Sequence, residues 1–503
     1  MSEFLPVGLQ DFLHSRQSGL RKISGRYAGD AGQAASSVFS QFLRIIISKE
    51  VIIMQNITAN ELVKIHWFAV PDGFLLLDIN SGSVLRIDED TANCLERLQA
   101  GEQPLADDAE ILAELAELKQ QGLLFSDDAY QDKYEPPAPV LKSLCLNVCH
   151  DCDLRCRYCF ASTGSFGGKR ARMSFEVGAA ALDYLLEHSG KRRFLEVDFF
   201  GGEPLLNINV VKQLVAYGRE REKEYGKTLR FTFTTNCVGL TPEISAWAEA
   251  ENVSVVLSHD GRPEVHDRQR VFANDKGSYQ LVTEHIKQFL AQNSRGNAIV
   301  RGTYTAFNKD FCEDIKHWLD LGFPRLSMEP AVELDGERCL HESDLPQLKE
   351  EYWKLAKLFE QRRADGQPFE FFHFKLDLKH GPCLPKRLTG CGAGYEYMVV
   401  TPEGELYPCH QFVGREGFKM GDLAGGITEH GQELSEQFRQ AHVYNKKSCR
   451  VCWARFFCSG GCHANAELFH HDIMQPYELG CQISQMRLEC AIWLAVKEVE
   501  QCS

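Results

Sequence analysis

The chain has no apolar stretch long enough to cross a bilayer. The nearest approach, Ile45-Ile46-Ile47 followed by Val51-Ile52-Ile53-Met54, is interrupted by Ser48, Lys49 and Glu50. It also lacks a basic head, apolar middle and small-residue cleavage point at its start, so no secretory signal is expected and the cytoplasm is the expected location. Basic residues, 55 Lys and Arg, are outnumbered by 70 Asp and Glu. A net charge of −15 argues against nucleic acid or an anionic membrane as a partner of the whole chain. Cysteine, by contrast, is abundant, with nineteen in 503 residues. In a reducing compartment disulfides are rare, so clustered cysteines point to metal ligation or redox chemistry. Cys94, Cys237, Cys312, Cys339, Cys490 and Cys502 fall outside any ligand-like spacing and read as small apolar residues or plain thiols.

Residues 1–53 are expected to form a flexible extension, or to precede a working start near Met54, because the run from Gly29 to Ser37 has little to pack. Within 54–134, short β-type runs at 66–70, 73–79 and 83–88 precede helical periodicity at 90–98 and 108–121, which suits a winged-helix-like module. The Pro-rich run 135–139 reads as a linker. Over 141–335 strand and helix alternate. Strands are expected at 143–148, 194–200, 229–235, 253–259, 298–305 and 325–329, with helices at 174–188, 209–225, 243–251, 279–292 and 310–321. Near-continuously apolar strands alternating with helices predict a parallel sheet covered by helices, and six units predict a partial (β/α)6 barrel rather than a closed eight-fold one. No internal repeat goes beyond this alternation. Residues 336–382 form a bridging region with a helix at 344–361. Residues 383–503 form a cysteine-rich domain. Residues 371–482 read as loop-like and cysteine-dense, with too little apolar periodicity for a core of their own, so metal would have to cross-link them, and a helix is expected at 483–499.

Cys152, Cys156 and Cys159 follow the first barrel strand, with the aromatic Tyr158 before the last. Three thiolates on one short loop can hold three irons of a four-iron cluster and leave the fourth open to a small chelating ligand. Cys145, Cys149 and Cys152 repeat the spacing one step upstream, but Cys145 falls within the strand and no aromatic precedes Cys152. Zinc remains an alternative. Further along, Gly201-Gly202-Glu203-Pro204 ends the second strand, Asn236 the third, Ser258 and Asp260 the fourth, and Arg270 follows; Arg301 and Glu329 lie on the last two strands. Polar residues at strand ends are often only solvated caps. Near the C-terminus come Cys391, Cys409 with four residues between it and Gly404, then Cys449-x2-Cys452-x5-Cys458-x3-Cys462 and Cys481. A zinc ribbon needs only four ligands on two-residue knuckles, and more are present here.

The loop and its location resemble the radical S-adenosylmethionine (SAM) superfamily, whose signature is CxxxCxΦC after the first barrel strand. The C-terminal cysteines resemble its SPASM extension. The resemblance implies an enzyme with three [4Fe–4S] clusters. Cys152, Cys156 and Cys159 would hold the one that binds S-adenosyl-L-methionine. Gly201, Gly202, Glu203 and Pro204 would meet the methionine amine, Ser258 and Asp260 the ribose hydroxyls, and Arg270 the carboxylate, with Tyr158, Asn236 and Glu329 as further cofactor contacts. Cys449, Cys452, Cys458 and Cys481 would hold one auxiliary cluster, and Cys391, Cys409 and Cys462 the other, with Cys383 as candidate fourth ligand.

The runs 78–82, 146–152 and 160–168 are similar to the maturases of SCIFF peptides; Cys149 departs from that pattern, since a small residue is expected there. This resemblance implies a ribosomally made, cysteine-rich precursor peptide as substrate. Its leader would be bound by residues 54–134, its α-hydrogen would be abstracted by a 5′-deoxyadenosyl radical, and a sulfur-to-α-carbon thioether would form. An external one-electron donor such as flavodoxin or ferredoxin is implied too. A maturase of the anaerobic sulfatase type, making formylglycine, and a non-catalytic electron carrier with three clusters are the competing readings.

Overall fold

A computed structural model describes residues 57–376, 378 and 388–501. The extension expected over 1–53, and Cys383, lie outside these residues. Among the described residues no helix is long and apolar enough to cross a membrane.

β1 (Ile65–Val70), β2 (Gly73–Asp78) and β3 (Val84–Ile87) form an antiparallel sheet in that order. Alternation decides its faces: Leu76, Leu85 and Ile87 turn to a small core with Leu95 and Leu115 from helices Glu89–Gln99 and Ala109–Gln120. Asp78 is fully buried and fixes the turn, accepting from Ser81 N at 2.8 Å and from Ser126 N at 2.9 Å. Strands followed by helices is the order the periodicity predicts. Val84–Ile87 have backbone pairing only with β2 among the described residues, which leaves β3 as a sheet edge.

The larger sheet contains β4 (Ser143–Cys149), β5 (Phe194–Gly201), β6 (Thr228–Thr235), β7 (Ser254–Ser258), β8 (Ala298–Tyr304) and β9 (Arg325–Pro330), all parallel. Helices Phe175–His188, Ile208–Tyr225, Pro242–Ala250, Tyr279–Gln292 and Phe311–Asp320 alternate with them. Ser174 caps the first of these, accepting from Val177 N at 3.3 Å. The sheet is open, as six units require. β4 is buried throughout, but β5 and β6 alternate: Leu195, Val197, Phe199, Leu229, Phe231 and Phe233 are buried, while Asp198, Thr232 and Thr234 are only partly so. Near-continuous apolar character therefore does not hold for these strands, because one face meets helices while Phe200 and Thr234 on the other open on a cavity.

The C-terminal region departs further from expectation. The stretch expected to be loop contains β11 (Tyr397–Val400), β12 (Glu405–Tyr407), β13 (Gly421–Asp422) and β14 (Gly426–Ile427), after a short β10 (Glu370–Phe371) beside β9. β11 pairs in parallel with β4, so the sheet runs β10-β9-β8-β7-β6-β5-β4-β11-β12-β13-β14. Helices Glu429–Gln440 and His463–His470 follow, and Tyr395, Phe412, Phe438, Ala464 and Ile473 make an apolar cluster of the region's own. That corrects the reading of a segment without a core. The final helix, Glu478–Gln501, packs on Leu345–Ala364.

Candidate active site

β4 carries the chain into the first cysteine loop, and backbone hydrogen bonds stitch that loop to both neighbours. Gly202 N donates to Cys149 O at 2.7 Å and Glu203 N to Asp151 O at 2.8 Å; on the other side Arg155 N donates to Val271 O at 2.7 Å and Arg157 N to Gln269 O at 2.9 Å. A Cβ on Gly202 would lie 2.2 Å from Asp151 O, and one on Gly164 would lie 3.0 Å from Cys152 Cβ. Glycine is therefore required for the loop to sit so close to the end of β5.

Cys152, Cys156 and Cys159 all line one cavity of about 1000 Å³. Cys145 and Cys149 do not line it and are buried in β4, so the upstream spacing does not present three thiols to a common space. Burial and the Glu203 carboxylate push the Cys152 thiol well up, and burial pushes Cys156 to about 11 against the pull of Arg270. Such thiols stay protonated until a metal displaces the proton. Among the described residues no three His, Cys, Asp or Glu side chains converge as a single metal ion would need.

Gly201, Gly202, Glu203, Asn236, Ser258, Tyr158, Arg270 and Glu329 also line the cavity, as do Arg301 and Thr303. Glu203 accepts from Asn236 N at 2.7 Å, Thr235 Oγ1 at 2.8 Å and Leu205 N at 3.0 Å; burial still raises it to about 7. Asn236 Nδ2 donates to Asp153 Oδ1 at 2.6 Å and lies 3.5 Å from Cys152 Sγ.

Two expected contacts are displaced. Pro204 is buried at the start of a single helical turn behind the cavity wall. Asp260 is fully buried and does not reach the cavity, since its carboxylate accepts from Tyr158 OH at 2.6 Å and Thr303 N at 3.2 Å and pairs with Arg270 at 3.9 Å. Arg270 Nη1 in turn donates to Tyr158 OH at 2.8 Å. Asp260 thus positions Tyr158 and Arg270 from behind instead of facing a ribose. Arg270 Nε is buried and has no hydrogen-bond partner, a donor left over at the wall of the cavity. Three thiols, a glycine cradle and this spare donor suit a cluster with a small zwitterionic ligand.

The opposite wall comes from the C-terminal region. Cys458, Cys462 and Cys481 line the same cavity, so both cysteine-rich segments open on one space. Cys481 is pushed up to about 12 by burial and by the facing thiols of Cys458, Cys449 and Cys452; Cys409 is pushed up by burial and by Cys462 and Cys391. Cys449, Cys452 and Cys458 therefore lie near Cys481, and Cys391 and Cys462 near Cys409.

Several site residues were not picked out from the sequence. Arg487 on the last helix donates to Glu329 Oε2 at 2.9 Å, and His373 Nε2 pairs with Glu329 Oε1 at 3.1 Å. Burial would raise the Glu329 carboxyl, but His373, Arg487 and Arg301 outweigh it and hold it well below the usual carboxylate range. Glu329 is therefore engaged by Arg487 and His373 at the cavity wall. No local signal in the sequence marks Arg487. His410, beside Cys409, stacks on Phe200 at 5.0 Å and meets Phe160 at 5.2 Å; adjacency to a cysteine was its only signal.

The small domain is tied to the second cysteine group. Trp453, next to Cys452, stacks on His66 with centroids 3.9 Å apart, and Arg455 Nη2 donates to Asn80 Oδ1 at 2.5 Å.

Residues 146–321 match the Radical SAM superfamily, and residues 391–453 match SPASM, an iron–sulfur cluster-binding domain. The radical SAM cyclopropyl synthase TigE of Paramaledivibacter caminithermalis is 22% identical over 367 residues, spanning 69% of this chain and 73% of TigE. The cysteine-type anaerobic sulfatase-maturating enzyme of Clostridium novyi is 26% identical over 335 residues, spanning 63% of this chain and 86% of that enzyme. The solved structure of anSMEcpe with bound AdoMet and Cp18Cys peptide shares the fold at a TM-score of 0.58 and 18% identity, over 73% of this chain and 100% of that one.

Proposed function

Because this chain belongs to the radical SAM superfamily and carries its SPASM domain, we propose that it matures a ribosomally made, cysteine-rich peptide by joining a cysteine sulfur to an α-carbon of the same peptide. The observation that carries the reading is the single cavity of about 1000 Å³, which has Cys152, Cys156 and Cys159 on one wall and Cys458, Cys462 and Cys481 on the other. That volume accommodates a nucleoside cofactor together with a segment of peptide.

Radical SAM domains bind S-adenosylmethionine and a [4Fe–4S] cluster, and SPASM domains bind auxiliary clusters; when bound, the first pair supplies a hydrogen-abstracting carbon radical and the auxiliary clusters supply one-electron acceptors. Cys152, Cys156 and Cys159 hold the first cluster. Glu203 and the Gly201–Gly202 backbone take the methionine amine, and Arg270, oriented by Tyr158 and Asp260, takes its carboxylate. Cys449, Cys452, Cys458 and Cys481 hold one auxiliary cluster; Cys391, Cys409 and Cys462, with Cys383 as the fourth candidate, hold the other. The peptide's balance is the loss of two hydrogens, one as the atom carried off in 5′-deoxyadenosine and one as the thiol proton, with one electron.

Among the described residues β3 has an unpaired strand edge, to which a leader segment adds as a further strand. The donor that starts each turnover is an external one-electron protein such as flavodoxin or ferredoxin.

The similarity to a sulfatase-maturating enzyme favours one second reading, formylglycine formation. Mass analysis of a cysteine-rich peptide after reaction separates the two. Loss of two hydrogens with one thiol resistant to alkylation is expected; a new aldehyde would establish the second reading instead. Changing Cys152, Cys156 and Cys159 together to Ala is expected to abolish 5′-deoxyadenosine formation, and turnover surviving that change would overturn both.

A further inference from the structure

Lys446 is fully buried, with a relative exposure of 0%, and among the described residues no carboxylate lies within ion-pair distance of it. Burying an ammonium without a counter-charge is unfavourable even after the surroundings relax. Its Nζ donates to Gly460 O at 2.9 Å and to His463 Nδ1 at 3.3 Å; an imidazole nitrogen that accepts a hydrogen bond carries no proton of its own and adds no opposing charge. Two neutral acceptors satisfy hydrogen bonds but do not balance a charge. The groups that do face the ammonium are thiols: Cys449, Cys458 and Cys481 from one cysteine group and Cys462 from the other.

The position has a second feature. Gly460 lies in the turn Cys458-Ser459-Gly460-Gly461-Cys462, which carries one group into the other. Gly460 has φ +89°, and a Cβ there would sit 3.6 Å from Lys446 Cδ, so the turn wraps along the lysine stem. Lys446 thus holds the backbone at the junction of both groups while placing one positive charge between them.

We propose that Lys446 is the shared counter-cation of the two auxiliary clusters, fixing the turn that joins their ligands and favouring the reduced state of each. This rests on the assignment of clusters to these seven cysteines made above. Thiolate-ligated clusters carry net negative charge, which supplies the counter-charge the buried ammonium otherwise lacks. Adding one electron to a cluster adds one more negative charge, and a fixed cation nearby makes that addition more favourable. The electron comes from the one-electron oxidation that the thioether product requires of the peptide. Lys446 is a positioning residue in this account and touches neither peptide nor S-adenosylmethionine.

The test uses reconstituted full-length protein and two variants, Lys446→Gln, which keeps a donor for Gly460 O without the charge, and Lys446→Arg, which keeps the charge. Iron content and redox titrations followed by electron paramagnetic resonance are read in each. The expected result is a shift of the auxiliary midpoints to more negative potential in Lys446→Gln, with the cluster on Cys152, Cys156 and Cys159 unmoved and Lys446→Arg close to the parent. Loss of auxiliary iron in Lys446→Gln but not in Lys446→Arg would equally support a role for the charge. Parent-like midpoints in Lys446→Gln would overturn the proposal, as would loss of auxiliary iron in both variants, which would make the side chain's shape the determinant. If the parent holds iron only on the barrel loop, the cluster assignment itself fails, and that is seen before any variant is compared.

Discussion

At the scale of single residues, the site depends on close approach and on one phenol. Gly202 packs against Asp151 O so tightly that a methyl group would have to displace backbone on both sides. Gly202→Ala is expected to cost about 1–3 kcal/mol of stability, the usual range for overpacking, and to weaken S-adenosylmethionine binding, measured by calorimetry on cluster-loaded protein. Gly226→Ala is the control: Gly226 has φ +63° and open space around its Cα, so the substitution strains the backbone far from the cavity and leaves cofactor affinity unchanged. Tyr158 bridges Asp260 and Arg270 through one hydroxyl. Tyr158→Phe removes it, leaves a buried carboxylate short of a donor at about 1–3 kcal/mol, and lets Arg270 draw toward Asp260. A fall in cofactor affinity with iron content unchanged is expected, and unchanged affinity would show that Arg270 does not depend on this bridge. The sequence marks Tyr158 as the aromatic of the loop and Asp260 as a polar residue near a strand end. Whether an acid there faces the mouth or the packing behind it depends on Tyr158, a hundred residues away, and no spacing rule contains that.

Among elements, the last helix does more than its composition suggests. Cys481, Gln485, Glu489, Trp493 and Lys497 recur at every fourth position and form one ridge that winds around the helix by about 40° at each step. That ridge runs from the second cysteine group to the small domain: Gln485 Nε2 lies 3.4 Å from Cys452 Sγ, Glu489 pairs with His66 at 3.1 Å, Trp493 Nε1 donates to Asp72 at 2.8 Å and Lys497 pairs with Asp72 at 3.3 Å. Trp493→Ala removes a buried indole and is expected to cost about 3–5 kcal/mol, whereas Trp493→Phe loses mainly one hydrogen bond at about 1 kcal/mol. Thermal unfolding gives the magnitudes. Limited proteolysis between residues 126 and 140 tests the docking: faster cleavage in Trp493→Ala than in Trp493→Phe is expected, and equal rates would mean the small domain is held elsewhere. The alternating units of the barrel are legible because each strand pairs with the next one in the chain and each helix has its own period. β11 is not. It has only four residues, Tyr397 to Val400, after a glycine-rich turn, and its partner β4 lies some 250 residues upstream, so neither length nor neighbourhood marks it as a strand of the main sheet.

For the molecule as a whole, the question is which parts hold together without metal. The barrel has a continuous apolar core that reaches from β4 to the last helix, including Phe199, Phe231, Phe233, Trp318 and Tyr352, all essentially inaccessible to solvent. The C-terminal region adds Leu406, Met420 and Leu434 to that core and has clusters of its own, one around Phe412 and Phe438 and one around Leu388, Val443 and Phe456. Residues 443–482 carry Cys449, Cys452, Cys458, Cys462 and Cys481. In that stretch metal binding contributes folding free energy directly, beyond what packing supplies. Anaerobic removal of iron with a chelator is therefore expected to divide the chain. Hydrogen exchange should stay slow in β4 to β9 and in helices 175–188 and 208–225, and should accelerate over 443–482. β11 is the informative boundary, because parallel pairing with β4 and burial of Val399 and Val400 should keep it protected even when the cysteine turns beyond it open. Slow exchange over 443–482 after complete iron loss would mean that packing, not metal, orders this region. The two cavity walls would then be independent of the clusters they hold.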